Sequence, residues 1–294
     1  MKVLITGCRG QVGRELMALA ETHGCDAVGF ERNTLDITDQ VAVQKIVAQQ
    51  QPDAVINAAA YTAVDSAESD IATAFAVNAT AVSYLAQACT DLNIPLVHIS
   101  TDYVFDGSKE GGYSEDDTPS PLGVYGESKL AGEEAVRAVC RSYYILRTSW
   151  VFSSHGNNFV KTMLRLGAER EVLGIVADQR GKPTSAREIA KMIYVMLTSN
   201  KQAWGTYHIT QPDVTTWFYF AEKIFSEAKQ QGIPLKVNEL NAITTSDYPT
   251  PAKRPVNSEL DCSKLEKTFE IELKPWSESL SNVIGRIRGE ENKS

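Results

Sequence analysis

The chain has 294 residues, 43% hydrophobic and 22% charged, which suits a globular protein of one large domain or two unequal ones. Twenty-nine Lys and Arg against 37 Asp and Glu leave a net charge of −8. That acidic balance argues against nucleic acid and anionic membrane as bulk partners, because both require a basic face. A small anion needs only a few local cations.

Over the first 150 residues short apolar runs alternate with longer helical patterns. Residues 3–6, 27–30, 54–57, 96–100 and 144–146 read as strands bounded by Gly, Pro, Asn or Asp. Residues 11–22, 40–50, 71–92 and 128–139 between them read as Ala-rich helices. This alternation predicts an α/β fold: a Rossmann-type doubly wound parallel sheet with helices on both faces. Beyond Val151 the helical patterns at 159–168, 187–198, 218–230 and 277–288 are separated by irregular stretches. The expectation is a dinucleotide-binding domain over 1–150. Residues 151–294 then form mainly a smaller C-terminal substrate-binding domain, with the chain crossing back to the sheet.

The five cysteines, Cys8, Cys25, Cys89, Cys140 and Cys262, form no C-x-x-C pair and are odd in number. They predict no disulfide framework or zinc site and fit a reducing cytoplasm. The four histidines are too scattered for a metal site. No apolar stretch is read as approaching the ~20 residues of a membrane span, and the N-terminus lacks a signal-peptide layout.

Chemistry concentrates in two segments. Gly7-Cys8-Arg9-Gly10-Gln11-Val12-Gly13 follows the first strand and opens the first helix. A pyrophosphate needs backbone N–H groups and a helix N-terminus with no Cβ in the way, which is what such glycines provide. The spacing is G-x-x-G-x-x-G, so its strand–helix context carries the assignment more than the triplet does. At the end of the second strand Glu31 could accept from a ribose 2′-hydroxyl and favour NADH. Arg32, with Arg9, could pair with a 2′-phosphate and favour NADPH. Two cations tip the reading to NADPH, with NADH also usable.

The second segment is Tyr125-Gly126-Glu127-Ser128-Lys129, with Ser100-Thr101-Asp102 before it. A carbonyl that receives hydride becomes an alkoxide and needs a placed acid. Tyrosine titrates near 10 and needs help to trade protons near neutrality. A lysine at i+4 shares its helix face, where its charge would lower the phenol and its ammonium could hold a ribose. Spacing alone does not single the pair out, because Tyr219 and Lys223 repeat it. Position does: Tyr125 follows the fourth strand and the loop bearing Thr101, a hydroxyl able to bond the carbonyl oxygen.

These segments resemble the extended short-chain dehydrogenase/reductases. So do Asn57-Ala58-Ala59-Ala60-Tyr61-Thr62-Ala63-Val64-Asp65, Thr101-Asp102-Tyr103-Val104-Phe105, Arg147-Thr148-Ser149-Trp150 and Tyr248-Pro249-Thr250-Pro251-Ala252-Lys253-Arg254-Pro255. In this combination they look like the dTDP-4-dehydrorhamnose reductase family. The resemblance implies reduction of the 4-keto group of a dTDP-sugar, the last step of dTDP-L-rhamnose synthesis. It implies Tyr125 as proton donor, Lys129 as its partner and Thr101 as the tuning hydroxyl. Gly7, Gly10, Gln11, Val12 and Gly13 would hold the pyrophosphate. Glu31 or Arg32, Asp36 and Ile37 would flank the adenosine. Ala60, Tyr61 and Thr62 would line the nicotinamide side, with Tyr125 and Lys129. Thr101, Asp102, Tyr103 and Trp150 would contact the sugar, and Lys253 and Arg254 its diphosphate.

Some members of the family join subunits through magnesium held partly by a glutamate on the first helix. Glu15 matches it, but its expected acidic partners fall on Arg187 and Arg286, so no metal and a monomer or weak homodimer are expected. Tyr103 stands where sugar-nucleotide dehydratases place a glutamate, which removes their base. The alternatives are a reductase of another nucleotide 4-keto-6-deoxy sugar, or a non-catalytic regulatory subunit on the same fold.

Overall fold

The computed structural model describes residues 1–291. Six parallel strands form the central sheet: β1 (Lys2–Thr6), β2 (Asp26–Phe30), β3 (Ala54–Asn57), β4 (Leu96–Thr101), β5 (Tyr143–Thr148) and β6 (Gly205–His208). Their order across the sheet is β6-β5-β4-β3-β1-β2. The order reverses between β1 and β3. A crevice therefore opens outside the carboxyl ends of these strands, the usual ligand position in an open α/β sheet.

Both faces are covered, which is why β1, β3 and β4 read as nearly continuous apolar runs. One face packs against α1 (Gln11–Leu19) through Val12 and Leu16, and against Ile189, Ala190 and Ile193. The other packs against α2 (Gln40–Gln50), α3 (Ile71–Asp91) and α4 (Val124–Val139) through Val43, Val82, Leu85 and Val136. The helix α3 includes a π-helical turn at Ala76–Thr80. By length and mean hydropathy α3 matches a membrane span, against the sequence expectation. Here its apolar side is spent on the core, with Val82, Leu85, Ala86 and Cys89 buried.

The chain after residue 150 serves both parts of the molecule. A second core gathers Phe152, Val160, Phe220, Ile224, Trp276 and Ile284. Around it stand α5 (Phe159–Glu169), α7 (Trp217–Gln230) and α9 (Trp276–Glu291). Between these, α6 (Ala186–Thr198) returns to the central sheet and β6 pairs with β5 as its edge strand. The helix α8 (Ser263–Phe269) also packs there. The strand β6 escapes pattern reading because Gly205-Thr206-Tyr207-His208 is four residues long and carries a single hydrophobic side chain, Tyr207. The helix α4 begins four residues before its expected start. Its first N–H, on Val124, donates to Glu68 Oε1 at 3.0 Å, a cap from a distant loop, and this brings Tyr125 into the first helical turn.

Candidate active site

The glycine loop is built by close approach. Gly7 has φ +67°, and a Cβ there would lie 2.6 Å from the Ala59 nitrogen. A Cβ on Gly13 would lie 2.2 Å from the Gly7 carbonyl oxygen, so only glycine lets α1 meet β1. No side chain caps α1 at Gly10, which leaves its first-turn N–H groups and positive dipole end free for an anion. The loop therefore fits a dinucleotide pyrophosphate. Gly13→Ala is expected to weaken NADPH binding at least tenfold while the far-ultraviolet circular dichroism stays unchanged, because the Cβ must displace the loop backbone. Gln11 ties this loop to the second core: its Oε1 accepts from Ser153 Oγ at 3.0 Å and Asn158 Nδ2 at 2.9 Å.

At the end of β2 the two opposing indicators of cofactor choice meet. Arg9 Nε lies 2.7 Å from Glu31 Oε2, and Arg32 Nε 3.8 Å from Asp36 Oδ2. The guanidinium-bearing side chains are 70% and 81% exposed. Glu31 is thus charge-compensated, and both arginines stand in solvent at the sheet's open end. Hydrogen bonds from the Thr38 hydroxyl and N–H hold the Asp36 carboxyl below its usual range. Ile37 is buried with Leu35 and Val43. The Ala60–Thr62 loop leaves β3 and is held by Asn78, which accepts from the Tyr61 N–H at 2.8 Å and donates to the Tyr61 carbonyl at 3.0 Å.

The acid–base group sits at the ends of β4 and α4. Gly126 lets the helix rest on the β4 loop, since a Cβ there would lie 2.2 Å from the Tyr103 carbonyl oxygen. The Tyr125 ring meets Tyr103 edge-on at 5.4 Å, and its hydroxyl lies beside that of Thr101. Burial pushes the Tyr125 phenol up to about 12 against the lowering effect of Thr101. The Thr101 hydroxyl donates to Asp102 Oδ1 at 3.0 Å. Burial raises the Asp102 carboxyl to about 6, and its Oδ2 has no hydrogen-bond partner among the described residues.

Lys129 departs from the sequence expectation. Its Nζ turns to β4, donating to the Ile99 carbonyl at 2.6 Å and lying 3.4 Å from His98 Nε2. Among the described residues no hydrogen bond joins it to Tyr125. A buried lysine must satisfy its donors locally, and the strand carbonyl is at hand. Burial lowers its ammonium to about 8.

Further out, Trp150 adopts φ +48° and stacks on Trp217, ring centroids 3.5 Å apart. Trp217 Nε1 donates to Gln179 Oε1 at 3.1 Å. Trp217 and Gln179 help to line a cavity of about 570 Å³, together with Phe159, Arg165, Tyr248 and Arg254. Arg254 reaches across to Asp65, Nη2 to Oδ2 at 2.8 Å. Lys253 is exposed and is not among the residues lining this cavity. Asn78, Asp65, Gln179 and Trp217 were not singled out by sequence reasoning. Trp217 lies two residues before Tyr219 in a helical pattern and carries no spacing signal of its own.

On the far side of α1, both Glu15 oxygens are taken, by Arg187 Nη1 at 2.9 Å and Arg286 Nη1 at 2.8 Å.

A family model described as RmlD substrate binding domain matches residues 1–288. The chain belongs to the RmlD substrate-binding-domain family. A dTDP-4-dehydrorhamnose reductase of Aggregatibacter actinomycetemcomitans is 44% identical over 287 residues, covering 96% of this chain and 98% of that protein. Another, of Escherichia coli K12, is 42% identical over 98% of both chains. Among solved structures, the Bacillus anthracis dTDP-4-dehydrorhamnose reductase in complex with NADP superposes with a TM-score of 0.91. It is 38% identical, over 97% of this chain and 99% of that one. The central parallel sheet and the carboxyl-end crevice described above are thus those of an RmlD-family member.

Proposed function

We propose that this chain reduces the 4-keto group of dTDP-4-dehydro-L-rhamnose to give dTDP-L-rhamnose, with NADPH as the preferred hydride donor and NADH as a second one. The observation that carries the reading is the half-buried Tyr125 set beside the buried Thr101 hydroxyl at the carboxyl end of β4, in a chain that belongs to the RmlD family over nearly its full length. A bound NADPH supplies the hydride. Gly7, Gly10, Gln11, Val12 and Gly13 would hold its pyrophosphate, Arg9 and Arg32 its 2′-phosphate, and the loop of Ala60, Tyr61 and Thr62 its nicotinamide side.

A phenol kept protonated at neutral pH is the form a reductase needs, because it must deliver a proton to the oxygen of the incoming carbonyl. Thr101, beside Tyr125, would share that oxygen and steady the charge that develops on it. Asp102 Oδ2, buried without a partner among the described residues, would accept from a sugar hydroxyl. The cavity beside Arg254 would take the nucleotide, with Trp217, backed by the stacked Trp150, supplying a flat apolar wall. The arginines on Glu15 favour a monomer or a weak homodimer held without metal, and the five unbridged cysteines suit the cytoplasm.

The test is to follow nicotinamide absorbance with NADPH and dTDP-4-dehydro-L-rhamnose, then with NADH, and to identify the product. Rapid loss with formation of dTDP-L-rhamnose supports the assignment. Inertness toward this substrate but turnover of another 4-keto-6-deoxy sugar nucleotide would replace it. Arg32→Ala is expected to raise KM for NADPH about tenfold, the scale of one charge-assisted phosphate contact, and to leave KM for NADH nearly unchanged. Equal effects on the two would remove Arg32 from the 2′-phosphate site.

A further inference from the structure

Lys129 ends in a chain of buried polar groups that the reaction chemistry leaves unused. The β3–β4 register sets Asn57 opposite His98, and both are fully buried. Asn57 Oδ1 accepts from the Thr6 hydroxyl at 2.7 Å and from the Ala59 N–H at 3.2 Å. A backbone N–H can only donate, so the oxygen end of the amide is fixed there. The Nδ2 end therefore faces His98 Nδ1, at 3.0 Å. His98 Nδ1 is thus an acceptor, and the neutral ring carries its proton on Nε2. That N–H faces Lys129 Nζ at 3.4 Å. Two donors turned on each other repel, whereas the lone pair of an amine accepts.

We propose that Asn57 and His98 are positioning residues for Lys129, holding it in an inward pose that favours its amine form until cofactor binds, when that amine takes a proton from solvent and engages the nicotinamide ribose. The proposal rests on the reductase reading for the identity of that cofactor. The proton balance is simple: one amine becomes one ammonium, and binding draws the proton from the buffer.

The groups facing Lys129 agree with this. Burial disfavours its charged form, and burial together with Lys129 itself disfavours the His98 imidazolium. Glu133, one turn along α4, is the acid best placed to hold an ammonium. Its carboxylate is instead taken by Arg147 from β5, by Arg137 and by Ser100. Asp102 is engaged by Thr101. Tyr125, raised by burial, is neutral in the cofactor-free protein. Among the described residues, the His98 N–H is the ring donor that faces the lysine, at 3.4 Å.

Two measurements test it on the full chain. In cofactor-free protein labelled with ¹⁵N-histidine, long-range ¹H–¹⁵N correlation should show His98 protonated on Nε2 only, unchanged from about pH 6 to 9. A proton on Nδ1, or a ring that charges in this range, overturns the proposal. Because this arm uses no cofactor, it decides the relay even if NADPH fails to bind and the reductase reading falls. Calorimetry of NADPH binding near about pH 8.5, in buffers of different ionisation enthalpy, should show net proton uptake. His98→Leu should at least halve that uptake, and His98→Gln, which keeps one donor and one acceptor, should restore it. Equal uptake in wild type and His98→Leu overturns the proposal. Should His98→Leu not fold, the tautomer in the wild-type protein decides alone.

Discussion

Tyr125→Phe is expected to lower kcat by about 10²–10⁴ while NADPH still binds and the protein melts close to wild type. The substitution removes one hydroxyl and keeps the ring, whose edge-on contact with Tyr103 fixes it on the β4 loop. What is lost is the phenol proton placed beside the Thr101 hydroxyl. The control is Tyr219→Phe. Tyr219 also has a lysine four residues on, but it is 62% exposed on α7 and should change turnover by less than about twofold, as surface substitutions usually do. Steady-state kinetics with titrated NADPH binding separates the cases. If the two variants lose activity alike, the proton comes from elsewhere.

The comparison of these tyrosines shows what a sequence can carry. Local structure was legible: the glycine loop and the strand ends each depend on neighbours within a few residues. Strands β1 and β3 were legible because burial on both faces leaves no polar alternation to confuse them. What failed depends on distant chain. The start of α4 is set by Glu68, 56 residues upstream. The partner of Trp150 is Trp217, and nothing in either segment announces their stacking. Arg254 was read toward a diphosphate, but its Asp65 partner comes from the opposite end of the chain. Lys129 was read against Tyr125 because i+4 spacing puts both on one face. The sequence could not say that a strand carbonyl and a histidine ring would be nearer to its amine. By contrast, Arg187 and Arg286 on Glu15 were legible, because a family pattern with the wrong charge is visible without coordinates.

The second large effect concerns how the catalytic helix is held. Glu133→Ala is expected to cost about 3–5 kcal/mol, the range for leaving a buried charge without its partner. Glu133 is fully buried and accepts from Arg147 Nε and Nη2 at 2.9 and 2.7 Å, from Arg137 at 2.6 Å and from Ser100 at 2.6 Å. Arg147 is itself 1% exposed, with its guanidinium 5.0 Å over the Phe105 ring, so it has no route to water once the carboxylate is gone. Urea unfolding midpoints would measure the loss. Adding Arg147→Met should recover part of it, since it removes the orphaned charge while the space left by the Glu133 side chain remains. A cost under about 1 kcal/mol would mean that the cluster behaves like an exposed pair. The sign with pH is fixed. Burial raises the Glu133 carboxyl, but the Arg147 pairing outweighs it and leaves it below the usual value. Its stabilisation is therefore complete above the unfolded value of about 4.3 and fades as pH falls through the folded one. The gap between wild type and Glu133→Gln should narrow in acid and not in base. Because Glu133 lies one turn beyond Lys129 and ties α4 to both β4 and β5, a loosened cluster would also let Tyr125 drift from Thr101, so activity should fall before the protein unfolds.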